Sequence, residues 1–165
     1  MNIEAAHLIS KLGLAPLPHE GGFFGVTWAS PVQDPAGRPC GSAILFLITE
    51  LDFSAFHRLK TDEIWHFHAG DPAELFQIDS GTGALTRTVL GPDPLGDHQP
   101  QAVARAGFWQ GARLQKETLS HGWALFGCTL SPAWDGAEFE LGDRGALLGL
   151  SPANKGVIDS LTRVG

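Results

Sequence analysis

The fifteen residues from Phe56 to Gly70 constrain this chain more than any other segment, and they hold three of its seven histidines. They read Phe56-His57-Arg58-Leu59-Lys60-Thr61-Asp62-Glu63-Ile64-Trp65-His66-Phe67-His68-Ala69-Gly70. The polar turn Lys60-Thr61-Asp62 separates two strand-like runs, Phe53 to Leu59 and Glu63 to Ala69. Side chains two apart on a strand share a face. With Glu63 facing an interior, Trp65 and Phe67 face it too, and Ile64, His66 and His68 face away. A bulge at the turn would reverse that assignment.

The remaining chain reads as one leading helix followed by short strands. Asn2 caps a helix running to about Leu12. Its apolar stripe is Ala5, Leu8, Ile9 and Leu12, and Gly13 stops it. Strands are predicted at Phe23 to Trp28, Ser42 to Thr49, Glu74 to Ile78 and Leu85 to Leu90. The last two flank Asp79-Ser80-Gly81-Thr82-Gly83, a hairpin signal. A Pro/Gly loop, Gly91 to Pro100, leads to strands near Ala102–Arg105, Ala112–Thr118, Trp123–Leu130 and Glu138–Leu141. A short terminal helix is expected near Ser151-Pro152. With 21 Gly and 11 Pro in 165 residues, nine or ten short strands point to an all-β antiparallel barrel or jelly roll in a single domain, residues 1–165.

Charge excludes some partners. The net charge is −7 and no Lys/Arg run exceeds one residue, so no basic face is available for phosphates and nucleic acid is disfavoured. No apolar stretch approaches a membrane span, and the first residues lack the pattern of a signal peptide. Two cysteines, Cys40 and Cys128, are too few for a disulfide framework, and a reduced, cytoplasmic protein is expected.

His57, Glu63 and Gly70 match the first cupin motif, His-x-His, three or four residues, Glu, six residues, Gly. The second motif, Pro-x-Gly-x-x-His, survives in weakened form as Arg105-Ala106-Gly107-Phe108-Trp109-Gln110. More closely, the chain resembles an uncharacterised cupin subfamily (DUF985, Cupin_5), typified by a yeast protein likened to seed storage cupins. Pro18-His19-Glu20-Gly21-Gly22-Phe23, Phe56-His57-Arg58, Asp62 to Phe67, Leu90-Gly91, Gln101-Ala102-Val103, Ala106 to Gln110, Cys128-Thr129 and Phe139-Glu140-Leu141 carry the likeness in order. It implies a cupin-type β-barrel, usually a homodimer, with no settled activity. Apolar Ala146-Leu147-Leu148-Gly149-Leu150 fits a surface that a partner covers. Leu59 and Gln110 stand where the motifs carry metal-binding histidines, and Arg105 replaces the motif proline. Val26 and Ala29 replace charged residues of the subfamily.

Three catalytic candidates follow: His57, Glu63 and Gln110. His57 would act as base beside a carbonyl, Glu63 would orient its imidazole, and Gln110 would donate to a developing enolate. Each has a plainer reading: His57 as a core histidine bonded to backbone, Glu63 as a turn carboxylate paired with Lys60 or Arg58, Gln110 as a core amide. Trp65, Phe67 and Trp109 are core residues or aromatic walls for a small organic ligand. Glu20 lies at the barrel mouth if the resemblance holds. His66 and His68 read as surface or interface residues, and Arg58 as a partner of Asp62 or Glu63. A first-row metal normally takes three or more ligands, and only His57 and Glu63 qualify, so no metal site is assigned and no cofactor is expected beyond a weak divalent ion. The function expected is a small-molecule-binding cupin, an epimerase or isomerase acting without metal on a carbohydrate-like or carbonyl substrate. The alternatives are a non-catalytic ligand-binding or storage-like barrel and a metal-dependent dioxygenase or isomerase.

Overall fold

The computed structural model describes residues 2–163. Helix α1 (Ile3–Leu12) starts at Asn2, whose side chain accepts from the Ala5 N–H, and ends at Gly13 in the left-handed conformation. Eleven strands follow among the described residues: β1 (Ala15–Pro16), β2 (Phe23–Ala29), β3 (Ser42–Thr49), β4 (Ser54–Arg58), β5 (Glu63–Gly70), β6 (Ala73–Ile78), β7 (Leu85–Leu90), β8 (Gln101–Ala104), β9 (Trp109–Leu114), β10 (Trp123–Leu130) and β11 (Glu140–Leu141). Helices α2 (Arg144–Leu150) and α3 (Lys155–Ser160) close the described chain.

The strands form two antiparallel sheets. One runs β1, β2, β3, β10, β5, β8, and the other β11, β4, β9, β6, β7. Of the expected barrel or jelly roll, the jelly roll is what forms: the sheets do not close into a barrel but stay separate and bury their facing sides against each other. The main core therefore mixes Phe46, Trp65 and Phe126 from the first sheet with Leu75, Ala112 and Leu114 from the second. Trp65 meets Phe46 and Phe126 edge-on, with ring centroids 5.5 and 5.3 Å apart, the arrangement aromatic quadrupoles favour.

The strand parity read from the sequence holds along β5. Glu63 and Trp65 are buried, Phe67 is half-buried against the core, and His68 is exposed. His66 leans outward onto the Thr129 hydroxyl, 3.1 Å away. Ile44, on β3, is half-buried against the same core.

The chain is not all-β. Asp143 caps α2 by accepting from the Ala146 N–H, and the helix lays Leu147 onto the outer side of the second sheet. There Leu147, Ile158 and Leu161 cover Phe56, Phe76, Ile78 and Trp109. The apolar run at Ala146–Leu150 is thus partly covered by its own chain, and it loses its force as a sign of a partner. The terminal helix begins later than expected, after a single 3₁₀ turn at Pro152–Asn154. The strand placed at Ala112–Thr118 is β9, three residues earlier, and Lys116–Thr118 is a 3₁₀ turn. On the other outer side, α1 packs with Leu14, Leu47 and Trp123.

Candidate active site

One end of the inter-sheet core is polar. His57 on β4, Glu63 on β5 and Gln110 on β9 are 2%, 7% and 3% exposed, in a place where a buried polar group must find a partner or lose stability. His57 and Gln110 sit opposite each other across β4 and β9. Gln110 reaches the other sheet: its Nε2 donates to Glu63 Oε2 at 2.8 Å. The amide cannot flip, because Trp65 Nε1 donates to its Oε1 at 3.0 Å. Gln110 is therefore the brace of Glu63, a role that uses one of its two amide hydrogens. The motif residue survives as a hydrogen-bond relay from an indole to a carboxyl.

His57 is oriented by backbone, not by Glu63. Its Nδ1 donates to the Ala55 carbonyl at 2.9 Å, so the neutral ring carries its lone pair on Nε2. Phe139 lies against the imidazole at a centroid distance of 5.4 Å and an interplanar angle of 22°. Arg58 points away from the cluster. It pairs with Glu140 at 2.7 Å and lies over the Trp109 ring at 4.5 Å, so neither Asp62 nor Glu63 is its partner.

Glu20 enters from a loop. Its Oε1 accepts from Ser54 Oγ at 2.8 Å and lies 3.9 Å from His57 Nδ1. The turn that delivers it is backbone-unusual. His19 has φ of 67°, with Gly21 and Gly22 at 101° and 72°. A non-glycine residue there is uncommon and persists only where its surroundings hold it. Arg163 does so: Nε donates to the His19 carbonyl and Nη2 to the Glu20 carbonyl, both at 2.8 Å. Arg163 also bonds Asp52 at 2.7 Å, and Asp52 Oδ2 accepts from the Gly22 N–H at 2.9 Å. Burial alone would push the Asp52 carboxyl up, but the Arg163, Gly22 and Phe53 donors hold it below the ordinary range.

The electrostatics single out Glu63. Burial raises it from 4.5 to about 7; the His57 charge pulls it down, the Glu20 charge pushes it up, and the Gln110 bond lowers it. Cys128, on β10 opposite Trp65, is also buried. Burial, then the charges of Glu63 and Glu20, push its thiol well up, so it stays protonated and is a poor nucleophile or ligand.

Of the residues named from sequence, the structure brings together His57, Glu63, Gln110, Trp65 and Glu20. Phe67 packs deeper in the core against Phe126, at 6.0 Å between centroids. Trp109 does not join them: as the strand neighbour of Gln110 it faces the opposite side and packs under α2 and α3. Ser54, Phe139 and Cys128 were not assigned site roles. Ser54 carries a faint signal, a small hydroxyl in an apolar strand. Phe139 is marked only as part of the Phe139-Glu140-Leu141 likeness, which gives it no place at the site, since it arrives from a segment distant in sequence.

The donor set does not fit the metal that cupin motifs commonly hold. Leu59 is buried in the core, the Gln110 oxygen is engaged by Trp65, and among the described residues no three His, Cys, Asp or Glu side chains cluster as a metal site. Two surface hollows, of about 480 and 430 Å³, lie elsewhere: one beside α1 and Trp123, the other between Asp52 and Arg113.

Two face-packed antiparallel sheets with this motif register define the cupin class. Solved structures agree. A Shewanella oneidensis protein is 34% identical, with a TM-score of 0.88, and the match covers 100% of this chain and 99% of that one. A hypothetical protein from Leishmania major is 28% identical with a TM-score of 0.88, over 97% and 99% of the two chains. A cupin 2 conserved barrel domain protein from Rhodopseudomonas palustris is 16% identical, with a TM-score of 0.60 over 92% of each chain, and shows likeness of fold. No curated protein matches. The family described as cupin superfamily (DUF985) matches residues 6–142, and the chain belongs to it.

Proposed function

We propose that this cupin binds a small polar, carbohydrate-like or carbonyl compound and isomerises it by proton transfer at His57 and Glu63, without a metal. The observation that carries the reading is the Glu63 carboxyl, raised to about 7 beside a histidine whose Nε2 lone pair is set by the Ala55 carbonyl. A general acid and a base work best when both are poised near the operating pH. In the proposed step His57 Nε2 takes the proton from the carbon next to the carbonyl. The Glu63 proton goes to the carbonyl oxygen, giving an enol. Return of the proton from His57 to the neighbouring carbon, as the hydroxyl that becomes the new carbonyl gives its proton to Glu63, completes an isomerisation. Return to the other face of the same carbon, after the enol turns over and as its hydroxyl gives the proton back to Glu63, completes an epimerisation. Both groups regain their starting states. Gln110 and Trp65 hold Glu63 in place, and Glu20 with Ser54 flanks the His57 ring.

The test is solvent exchange. Purified protein is incubated in D₂O with a panel of aldoses, ketoses and keto acids, and the mixtures are followed by mass spectrometry. Incorporation of one deuterium next to a carbonyl, lost in His57→Ala and in Glu63→Gln, is the expected result. Absence of exchange across the panel, with one compound retained unchanged, would instead support a second reading. That reading is a non-catalytic ligand-binding or storage-like protein, and the burial of His57 beneath Phe139 favours it. We also propose a homodimer, supported by the exposed apolar Val26, Trp28 and Val103; light scattering that gives only monomer mass would refute it.

A further inference from the structure

His57 is 2% exposed, so nothing reaches its Nε2 unless some element moves. The element lying on it is the strap from Ala133 to Gly142. Phe139, half-buried, covers the imidazole face. Its two neighbours are each tied to an arginine. Arg38 grips Glu138 with two parallel bonds, Nη1 to Oε1 at 3.0 Å and Nη2 to Oε2 at 3.1 Å. Arg58 holds Glu140 Oε2 through Nε at 2.8 Å and Nη2 at 2.7 Å. The remaining bonds gather at the two ends of the strap, where the Ala133 N–H donates to the Pro39 carbonyl at 3.0 Å, the Trp134 N–H to the Ser42 hydroxyl at 3.1 Å and the Gly142 N–H to the Phe56 carbonyl at 2.7 Å. Between them the Thr61 hydroxyl donates to Glu138 Oε2 at 3.2 Å, and β11 pairs with β4 only through Glu140 with Arg58 and Leu141 with His57. Arg38 Nε adds one bond to the Ala133 carbonyl at 2.7 Å. The Arg58–Glu140 pair is open to solvent and contributes little to stability, whereas Arg38–Glu138 is bidentate and mostly covered, and is the stronger clamp. With its backbone bonds gathered at the ends and only a two-residue strand between them, the middle of the strap opens locally at lower cost than the sheets around it.

We propose that Phe139 is the gate residue of this site, held shut over His57 by the Arg38–Glu138 and Arg58–Glu140 pairs, and that ligand enters when the strap lifts. The arrangement sets an aromatic plug between two charged clamps. The clamps fix register, and the ring excludes water from the histidine until a ligand displaces it. The inference rests on the reading that His57 is the working group of the site, but its test needs no substrate.

The test is labelling of histidines by diethyl pyrocarbonate, read peptide by peptide by mass spectrometry. In the native protein His57 reacts far more slowly than exposed His68. Phe139→Ala is expected to raise the His57 rate about tenfold or more, as removal of a local cover does. The double variant Glu138→Gln/Glu140→Gln, which keeps Phe139, is expected to raise it severalfold and carries the test if Phe139→Ala does not fold. Cys128, buried in the core, is probed in parallel with a thiol reagent and stays protected. His57 equally slow in every folded variant would overturn the gate, and so would Cys128 becoming reactive together with His57, because that signals unfolding rather than opening. Failure of the deuterium-exchange experiment would leave the labelling result intact.

Discussion

Asp71 and Glu63 are both carboxylates buried in the fold, at 2% and 7% exposure, and they are treated in opposite ways. Asp71 sits between β5 and β6 and accepts from three successive backbone N–H groups: Ser120 at 2.8 Å, His121 at 3.0 Å and Gly122 at 2.6 Å. The nest ties the loop before β10 to the end of β5. Glu63 receives one amide bond, from Gln110, and has the Glu20 charge for company. One carboxylate is supplied with donors, and the other is left short and pushed toward neutrality. Structural carboxylates are saturated because an unsatisfied one costs stability. A carboxyl kept short of donors beside a histidine is the perturbed group on which the proposed proton transfer rests.

The largest expected effect is at the saturated site. Asp71→Ala strands three backbone donors and should lower unfolding free energy by about 3 kcal/mol or more, measured by urea denaturation. A loss under about 1 kcal/mol would mean that the nest is not structural.

Glu63→Gln should do the reverse above neutral pH. In the folded protein Glu63 holds its proton up to about 7, against an ordinary 4.5. Between those values the folded state binds more protons than the unfolded one, so stability falls as pH rises through that window. The full cost, on the order of 3 kcal/mol, is present above pH 7 and absent below the unfolded value. The difference in stability between wild type and Glu63→Gln should therefore swing in favour of the variant from pH 4 to pH 8, while exchange activity is lost. A difference independent of pH would contradict it.

Arg163→Ala tests how the Glu20 loop is held. It removes the bonds to the His19 and Glu20 carbonyls and the stacking over Phe53 at 4.5 Å. A loss of about 1–2 kcal/mol is expected. Faster amide exchange confined to residues 19–22 and 52–53 would accompany it, and uniform exchange across the molecule would oppose this account. The smallest effect belongs to the outer side of β5: His68→Ala should stay within about 0.5 kcal/mol and leave solvent exchange of substrate unchanged.

Parts of this were legible in the sequence for physical reasons. The period of two along β5 separated Glu63 and Trp65 from His66 and His68, and the Asn2 and Gly13 caps bounded α1. Motif spacing brought His57, Glu63 and Gln110 together. The same parity argument should have sent Trp109 outward once Gln110 was placed inward, but the β9 boundary was set three residues too late for it to be applied. Helix α2 was hidden because Gly145 and Gly149 weaken a helical pattern, although Asp143 is a good cap. The strand count pointed to a barrel or a jelly roll and the family likeness to a cupin barrel, but no local pattern in a strand reports whether sheet edges meet. Which donor satisfies which acceptor was illegible throughout: the Ala55 carbonyl, the Trp65 indole and the Phe139 ring act through contacts that spacing does not encode.

The central claim is that Glu63 is a buried acid poised near neutrality. Carbon-13 labelling of glutamate side-chain carboxyls, followed by NMR from pH 3 to 9, tests it most directly. One carboxyl carbon titrating near 7, absent from the Glu63→Gln spectrum, is the predicted result; a Glu63 carboxyl that ionises near its ordinary 4.5 would contradict it.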